Sequence, residues 1–212
     1  MANPRFARLD PERRDALLSA AADEFTEHGY AASSVNRIIE RAGSSKGSVY
    51  YYFENKADLL ATVVEEAYDW ILAEAEWPRM DVLTADTFWS RLFEVTRTST
   101  RVMSRDTWQM RVLRSFYRLR EEPAARAATA GLMDRGRRLI SDFLRTGQDL
   151  GVVRTDLPTE LLVEMYLAAD TAGDRWTTKH WDDFTEEERA RMFVTRFHLV
   201  RDMLNPSQTG GG

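Results

Sequence analysis

The sequence predicts an all-α protein of two domains: an N-terminal three-helix unit carrying a helix-turn-helix, and a larger helical domain behind it, about nine helices in all. Three observations predict it. Apolar residues recur at three- and four-residue spacing through nearly every segment, as in helices that bury one face. No segment alternates apolar with polar residues as a half-buried strand does. Helix boundaries are marked by residues suited to start or stop a helix, from Asp10-Pro11 and Gly43 to Asn55, Pro78 and Thr185. A chain of 212 residues with 43% apolar content has room for one small domain and one larger one.

In chain order, Asp10 is placed to cap a first helix with Pro11 at its first position and Glu12 in its first turn. Leu18, Ala21, Ala22 and Phe25 form its inner face, and Gly29 ends it. A second helix runs from Ser34 to Ala42, with Val35, Ile38, Ile39 and Ala42 as its apolar stripe, and stops at Gly43. Ser44 or Ser45 caps a third, in which only Val49 and Tyr52 turn inward. These helices define an N-terminal domain over residues 1–53. Asn55 caps a fourth helix that reaches about Trp77, ahead of Pro78. No flexible linker precedes it, so it is expected to act as a stiff connector into a larger domain over 54–204. Helical patterns follow over 88–103, 108–120, 123–150, 158–176 and 185–204; the last opens on a Thr185…Glu188 capping box and the 123–150 helix ends at Gly151. Residues 205–212, closing on three glycines, read as a disordered tail.

Composition removes several function classes. Without cysteine there is no disulfide framework and no thiolate metal site. Residues 1–10 lack the apolar core of a signal peptide and no apolar run approaches 18 residues, so a cytoplasmic protein without membrane contact is expected. Catalysis would have to rest on His28, His180 and His198, and no nucleophile elbow, phosphate loop or dinucleotide fingerprint accompanies them. His180 with Asp182 and Asp183 lacks a second histidine, and neither a metal nor a cofactor is expected. The net charge of −5 taken as a sum opposes nucleic acid, but its distribution does not. Arg37, Arg41, Lys46 and Lys56 outnumber Glu40 and Glu54 around the third helix, and Arg5, Arg8, Arg13 and Arg14 precede it, a compact positive footprint on an acidic protein.

The third helix is too short to bury much, and its outward set is Ser45, Lys46, Gly47, Ser48, Tyr50 and Tyr51. Small hydrogen-bonding groups at the start followed by phenols suit a helix whose N-terminus enters a major groove. Ser34, Asn36 and Arg37 of the preceding helix and Lys56 just beyond complete the candidate DNA contacts, with Tyr51 and Lys56 on phosphates. The block from Ala42 to Lys56, Ala-Gly-Ser-Ser-Lys-Gly-Ser-Val-Tyr-Tyr-Tyr-Phe-Glu-Asn-Lys, resembles the signature of the tetracycline-repressor (TetR) family of bacterial transcriptional regulators. That resemblance implies a regulator of a double-stranded DNA operator, with a DNA-binding domain over 1–53 and an effector-binding and dimerisation domain over 54–204 whose final two helices pair with those of a second copy in a four-helix bundle.

The last two helices agree with a homodimer, because each carries apolar residues off its main stripe and so needs a second partner surface. Ala168, Ala172, Trp176, Met192 and Leu199 are the candidate interface. Phe88, Trp89, Phe93, Met103, Trp108, Met110, Phe116, Tyr117, Phe143 and Tyr166, with Thr96 and Asp170 as polar groups, are candidates to line a cavity for a mainly hydrophobic small-molecule effector. The same aromatics serve equally as core, and Asp170 equally as an arginine's partner. The expected function is a repressor released from a palindromic operator by that effector; an effector-less DNA-binding dimer and a helical enzyme remain as alternatives. Arg111, Arg114 and Arg118 read as a solvated charge row.

Overall fold

The computed structural model describes residues 6–206; Arg5 of the basic arm and tail residues 207–212 lie outside them. The described residues form ten α-helices and no strand: α1 (Pro11–Ala32), α2 (Val35–Arg41), α3 (Lys46–Tyr52), α4 (Lys56–Glu74), α5 (Phe88–Met103), α6 (Trp108–Leu119), α7 (Pro123–Ala128), α8 (Ala130–Asp149), α9 (Thr159–Lys179) and α10 (Glu186–Leu204). None is long and apolar enough to cross a membrane. The count exceeds the expected nine because the 123–150 segment breaks at Thr129. There the Arg120 guanidinium bonds both the Thr129 hydroxyl (2.7 Å) and carbonyl (3.4 Å), a side-chain competitor for the helix ladder that periodicity does not reveal.

Two compact units form, one from residues 6–71 with 105–133, the other from 72–104 with 134–206. In the first, α1 lies along α6 and against α2. Leu17, Leu18, Ala21, Phe25, Ile38, Val49 and Phe53 share a buried cluster with Leu60, Val63 and Val64 of α4, Trp108 and Phe116 of α6, and Ala125 of α7. Each large side chain so buried contributes about 1.5–3 kcal/mol. Packing thus carries the three-helix motif on through α4 and into α6 and α7, beyond residue 53. Phe6, fully buried, meets Phe53 at 4.9 Å and Tyr52 at 5.7 Å and closes the base of α3.

In the second unit α5 packs along α10, and Phe88, Leu92, Ile140, Phe143, Leu144, Val153, Leu162 and Phe197 make the core. Gly147 is obligatory there, since a Cβ would collide with Val153 and come within 2.6 Å of Phe88 Cζ. Gly151, at φ 72°, ends α8 with Val152 N–H donating to the Gly147 carbonyl and Gly151 N–H to that of Gln148, so the orphan carbonyls are satisfied.

Candidate nucleic-acid interface

The turn between α2 and α3 follows from local chemistry. Gly43 (φ 59°) donates to the Glu40 carbonyl and Ser44 N–H to that of Ile39, the six-to-one closure that a left-handed residue permits. The Ser34 and Ser45 side chains accept from the Arg37 and Ser48 amides and cap α2 and α3. Val49 is buried, which fixes the roll of α3 and leaves Ser45, Lys46, Gly47, Tyr50 and Tyr51 exposed, Ser48 half-buried, and Asn36 exposed on α2. Lys46 Nζ rests 5.9 Å over the Tyr50 ring one turn on, a cation–π pair that presents charge and aromatic together. The structure therefore gathers these candidate DNA contacts on one unit.

Two of the ten candidates have internal work. Lys56 Nζ donates to the carbonyls of Tyr30 (2.6 Å), Ala31 (3.1 Å) and Ser33 (3.1 Å), filling all three ammonium donors. Arg37 Nε donates to Glu24 (2.9 Å) and its Nη2 to the Ala32 carbonyl (2.8 Å) as well as to Glu24. Lys56 and Arg37 thus also hold the α1–α2 turn from within, where backbone carbonyls and a buried carboxylate meet these cations. Glu24 is 1% exposed and also accepts the Ser34 amide at 2.7 Å. Arg111 and Arg118 likewise are no solvated row: Arg111 Nε bonds Asp23 (3.0 Å) and Arg118 Nη2 the Thr26 carbonyl (2.6 Å), both on α1.

The candidate effector residues fall in both units. Trp108, Phe116 and Tyr117 belong to the cluster of the first unit, where Trp108 Nε1 also donates to Asp15 at 2.8 Å; Met110 is buried on the same helix. Phe88, Trp89, Phe93, Phe143 and Tyr166 belong to the cluster of the second. Thr96 donates to the carbonyl of Leu92, and Met103 is half-buried. Asp170, half-buried, pairs with Arg196 Nη2 (3.4 Å), which also reaches Asp174 (2.8 Å) and lies across Gly173, where a Cβ would collide with it. Desolvation raises the Asp170 pKa, the Asp174 charge adds to the rise, and Arg196 opposes both. A cavity of about 480 Å³ opens between α9 and α10, lined among others by Trp176, Phe184, Met192 and Arg196. Leu161, Met165, Ala168, Ala172 and Trp176 form an exposed stripe on α9, while on α10 Met192 is half-buried and Leu199 exposed. Among the described residues no group of three side chains is arranged to hold a metal.

Comparison with known proteins now decides the family. The model of bacterial regulatory proteins of the tetR family matches residues 17–63, from the core of α1 into α4. The transcriptional regulator AcuR of Cereibacter sphaeroides is 31% identical over 169 residues, covering 77% of this chain and 75% of that protein. The chain belongs to the TetR family. Membership makes it a DNA-binding transcriptional regulator and not an enzyme. The transcriptional repressor AcnR of Corynebacterium glutamicum is 28% identical over 149 residues, 70% of this chain and 73% of that one. At 18% identity, the crystal structure of FadR from Bacillus subtilis in complex with stearoyl-CoA shares the fold, with a TM-score of 0.70 over 90% of this chain and 98% of that one.

For a TetR-family regulator the buried Glu24 is the residue most easily missed, since a lone glutamate on an amphipathic helix looks solvated. It links α1 to both the cap and the guanidinium of α2. Burial pushes its carboxyl pKa up, but the hydrogen bonds from Arg37 and the Ser34 amide, with the Arg37 and His28 charges, outweigh this and leave it lowered from 4.5. A depressed carboxyl contributes stability above its unfolded pKa and loses it as pH falls through the folded value. Wild-type stability is therefore expected to drop below about pH 4.5, and Glu24→Gln to flatten that acid limb while costing about 2 kcal/mol at neutral pH. Urea denaturation at several pH values, read by circular dichroism, checks both; parallel acid limbs in the two proteins would refute the assignment.

Proposed function

We propose that this TetR-family regulator is a homodimeric repressor of a near-palindromic operator, released by a mainly apolar small molecule of acyl type. The observation that carries the DNA half is the exposed row Ser45, Lys46, Tyr50 and Tyr51 on a helix locked by Ser45 and Val49. One copy of so short a helix offers few base contacts, and a two-fold pair doubles them at fixed spacing. The exposed apolar stripe of α9 with Leu199 of α10 supports that pairing. The repressor sense is supported by the likeness to AcnR. An acyl effector is supported by two observations: Asp170 is paired with Arg196, which removes the carboxylate a cationic ligand would seek, and FadR, of the same fold, is described with stearoyl-CoA.

One titration series tests the proposal. The operator is a duplex selected by the protein from a randomised pool, and random duplex is the control. Lys46→Ala is expected to weaken operator binding by roughly 1–3 kcal/mol if the ammonium meets a base, or to weaken both duplexes and lower the salt slope by about one if it meets phosphate. No change on either duplex rejects the interface. Adding stearoyl-CoA to the wild-type titration is expected to weaken operator binding about 5–150-fold, a coupling of about 1–3 kcal/mol. A second reading, a dimer with no effector, is favoured by the burial of Phe88, Trp108, Met110, Phe116 and Phe143 as core. It predicts no acyl chain or other apolar molecule that weakens operator binding.

A further inference from the structure

Helix α1 is broken one turn before its end. Gly29 sits at φ 73°, ψ 176°, and the residues after it, Tyr30 to Ser33, form the turn that leads directly into the α2 cap Ser34. A break of this kind leaves amides without helical acceptors and carbonyls without donors. Members of both sets are satisfied from the α6–α7 corner. The Thr26 carbonyl and the Tyr30 amide, which stand at the i, i+4 spacing of a helical bond, are bonded by Arg118 Nη2 (2.6 Å) and Glu122 Oε1 (2.9 Å). The second Glu122 oxygen takes the Ala31 amide at 2.7 Å. Arg118 and Glu122 are themselves four residues apart, so one stretch of chain supplies both halves of the missing bond.

The opposite end of the turn is held by cations. Lys56 bonds the carbonyls of Tyr30, Ala31 and Ser33, and Arg37 that of Ala32. Carboxylate at the amide end and cations at the carbonyl end match the dipole of a helical turn. Gly29 serves the same arrangement twice: its positive φ makes the break, and a Cβ there would stand 3.0 Å from Glu122 Oε1.

We propose that Glu122 is a positioning residue for operator recognition, its carboxylate clamping the Tyr30–Ser33 turn from the α6–α7 corner and so setting the angle at which α2 and α3 meet the duplex. It rests on the DNA-binding reading above. A carboxylate is no phosphate ligand, so Glu122 acts through the amides it holds. Loosening the turn degrades base contacts, which need fixed geometry, more than phosphate contacts, which tolerate movement.

The experiment uses the full chain and the duplexes described above. Glu122→Gln, which keeps one acceptor but turns an NH2 toward an amide N–H, is expected to lower operator affinity about tenfold while random-duplex affinity and the salt slope stay unchanged. Gly29→Ala, which forces the carboxylate away from the other side, is expected to give the same signature. A merely structural loss would reduce the active fraction and lower both affinities together, and that result would overturn the proposal. Should both variants fail to fold, hydrogen exchange of the wild type decides: Tyr30 and Ala31 amides protected well beyond exposed-loop amides support the clamp, and loop-like exchange overturns it. A wild type that selects no duplex from the pool would refute DNA reading itself, whereas selection retained in full by Glu122→Gln would refute the clamp alone.

Discussion

Phe143→Ala is expected to destabilise the unit of α5, α9 and α10 by about 3–5 kcal/mol, whether or not an effector is present. The ring is fully buried, stacks on Phe88 with centroids 4.2 Å apart, and meets Trp77 at 5.9 Å. Collapse of the resulting cavity is resisted from both sides. Phe88 is pinned between Phe143 and the bare backbone of Gly147, and Phe197 and Leu162 of the same cluster belong to other helices. The lost transfer energy therefore adds to a cavity term that little repacking relieves. For a unit of about a hundred residues the cost corresponds to a melting temperature lower by roughly 10–25 °C in differential scanning calorimetry. A loss below about 1 kcal/mol would mean that the ring faces open space and returns it to the list of candidate cavity walls.

The contrast between what the sequence exposed and what it hid follows the range of each interaction. Caps were legible because they act within three or four positions: Ser45 on Ser48, Asn55 on Ala57 and Asp58, and the Thr185–Glu188 box all appear where the residue types place them. The left-handed glycines at 29, 43 and 151 were legible for the same reason. Partners far away in sequence were not. Nothing near Lys56 announces that its ammonium is bound by carbonyls some 25 residues earlier, and nothing near Glu24 announces that Arg37 and Ser34 will bury it. Periodicity identified the aromatic faces of α5, α6 and α8 but not that Phe88 and Trp108 enter different clusters, because period reports that a face is buried and not what it meets. Phe6 precedes any helical pattern, so nothing around it in the sequence marks it, yet it is among the largest fully buried side chains. For Asp170 the sequence left two roles open, and Arg196, 26 residues on, supplies the arginine partner.

Leu199→Glu is expected to convert the protein to a monomer and to abolish operator selection while leaving its helices intact. Leu199 is 66% exposed in the single chain, Trp176 48% and Leu161 45%, large apolar side chains that a monomer in water gains nothing by presenting. On α10, Met192, Thr195 and Leu199 fall at i, i+3, i+7, and on α9 Leu161, Met165, Ala168, Ala172 and Trp176 recur at three- and four-residue spacing, so each helix offers one continuous stripe to a partner helix. Alanines in the middle of the α9 stripe allow close approach, with the larger side chains at its two ends. A two-fold interface uses the same patch on both copies, so a single substitution places two carboxylates in it. At about 3 kcal/mol for each charge desolvated without a partner, the pair costs about 6 kcal/mol, which weakens association by about 10⁴-fold. Sedimentation equilibrium at micromolar concentration is expected to show a dimer for the wild type and a monomer for Leu199→Glu, with unchanged far-ultraviolet circular dichroism. Leu199→Ala, which removes area without adding charge, is expected to shift dissociation by only about 1–2 kcal/mol. A wild type that sediments as a monomer, or a Leu199→Glu variant as tightly paired as its parent, would show that the stripe serves some other purpose and that operator selection needs no second copy through these helices.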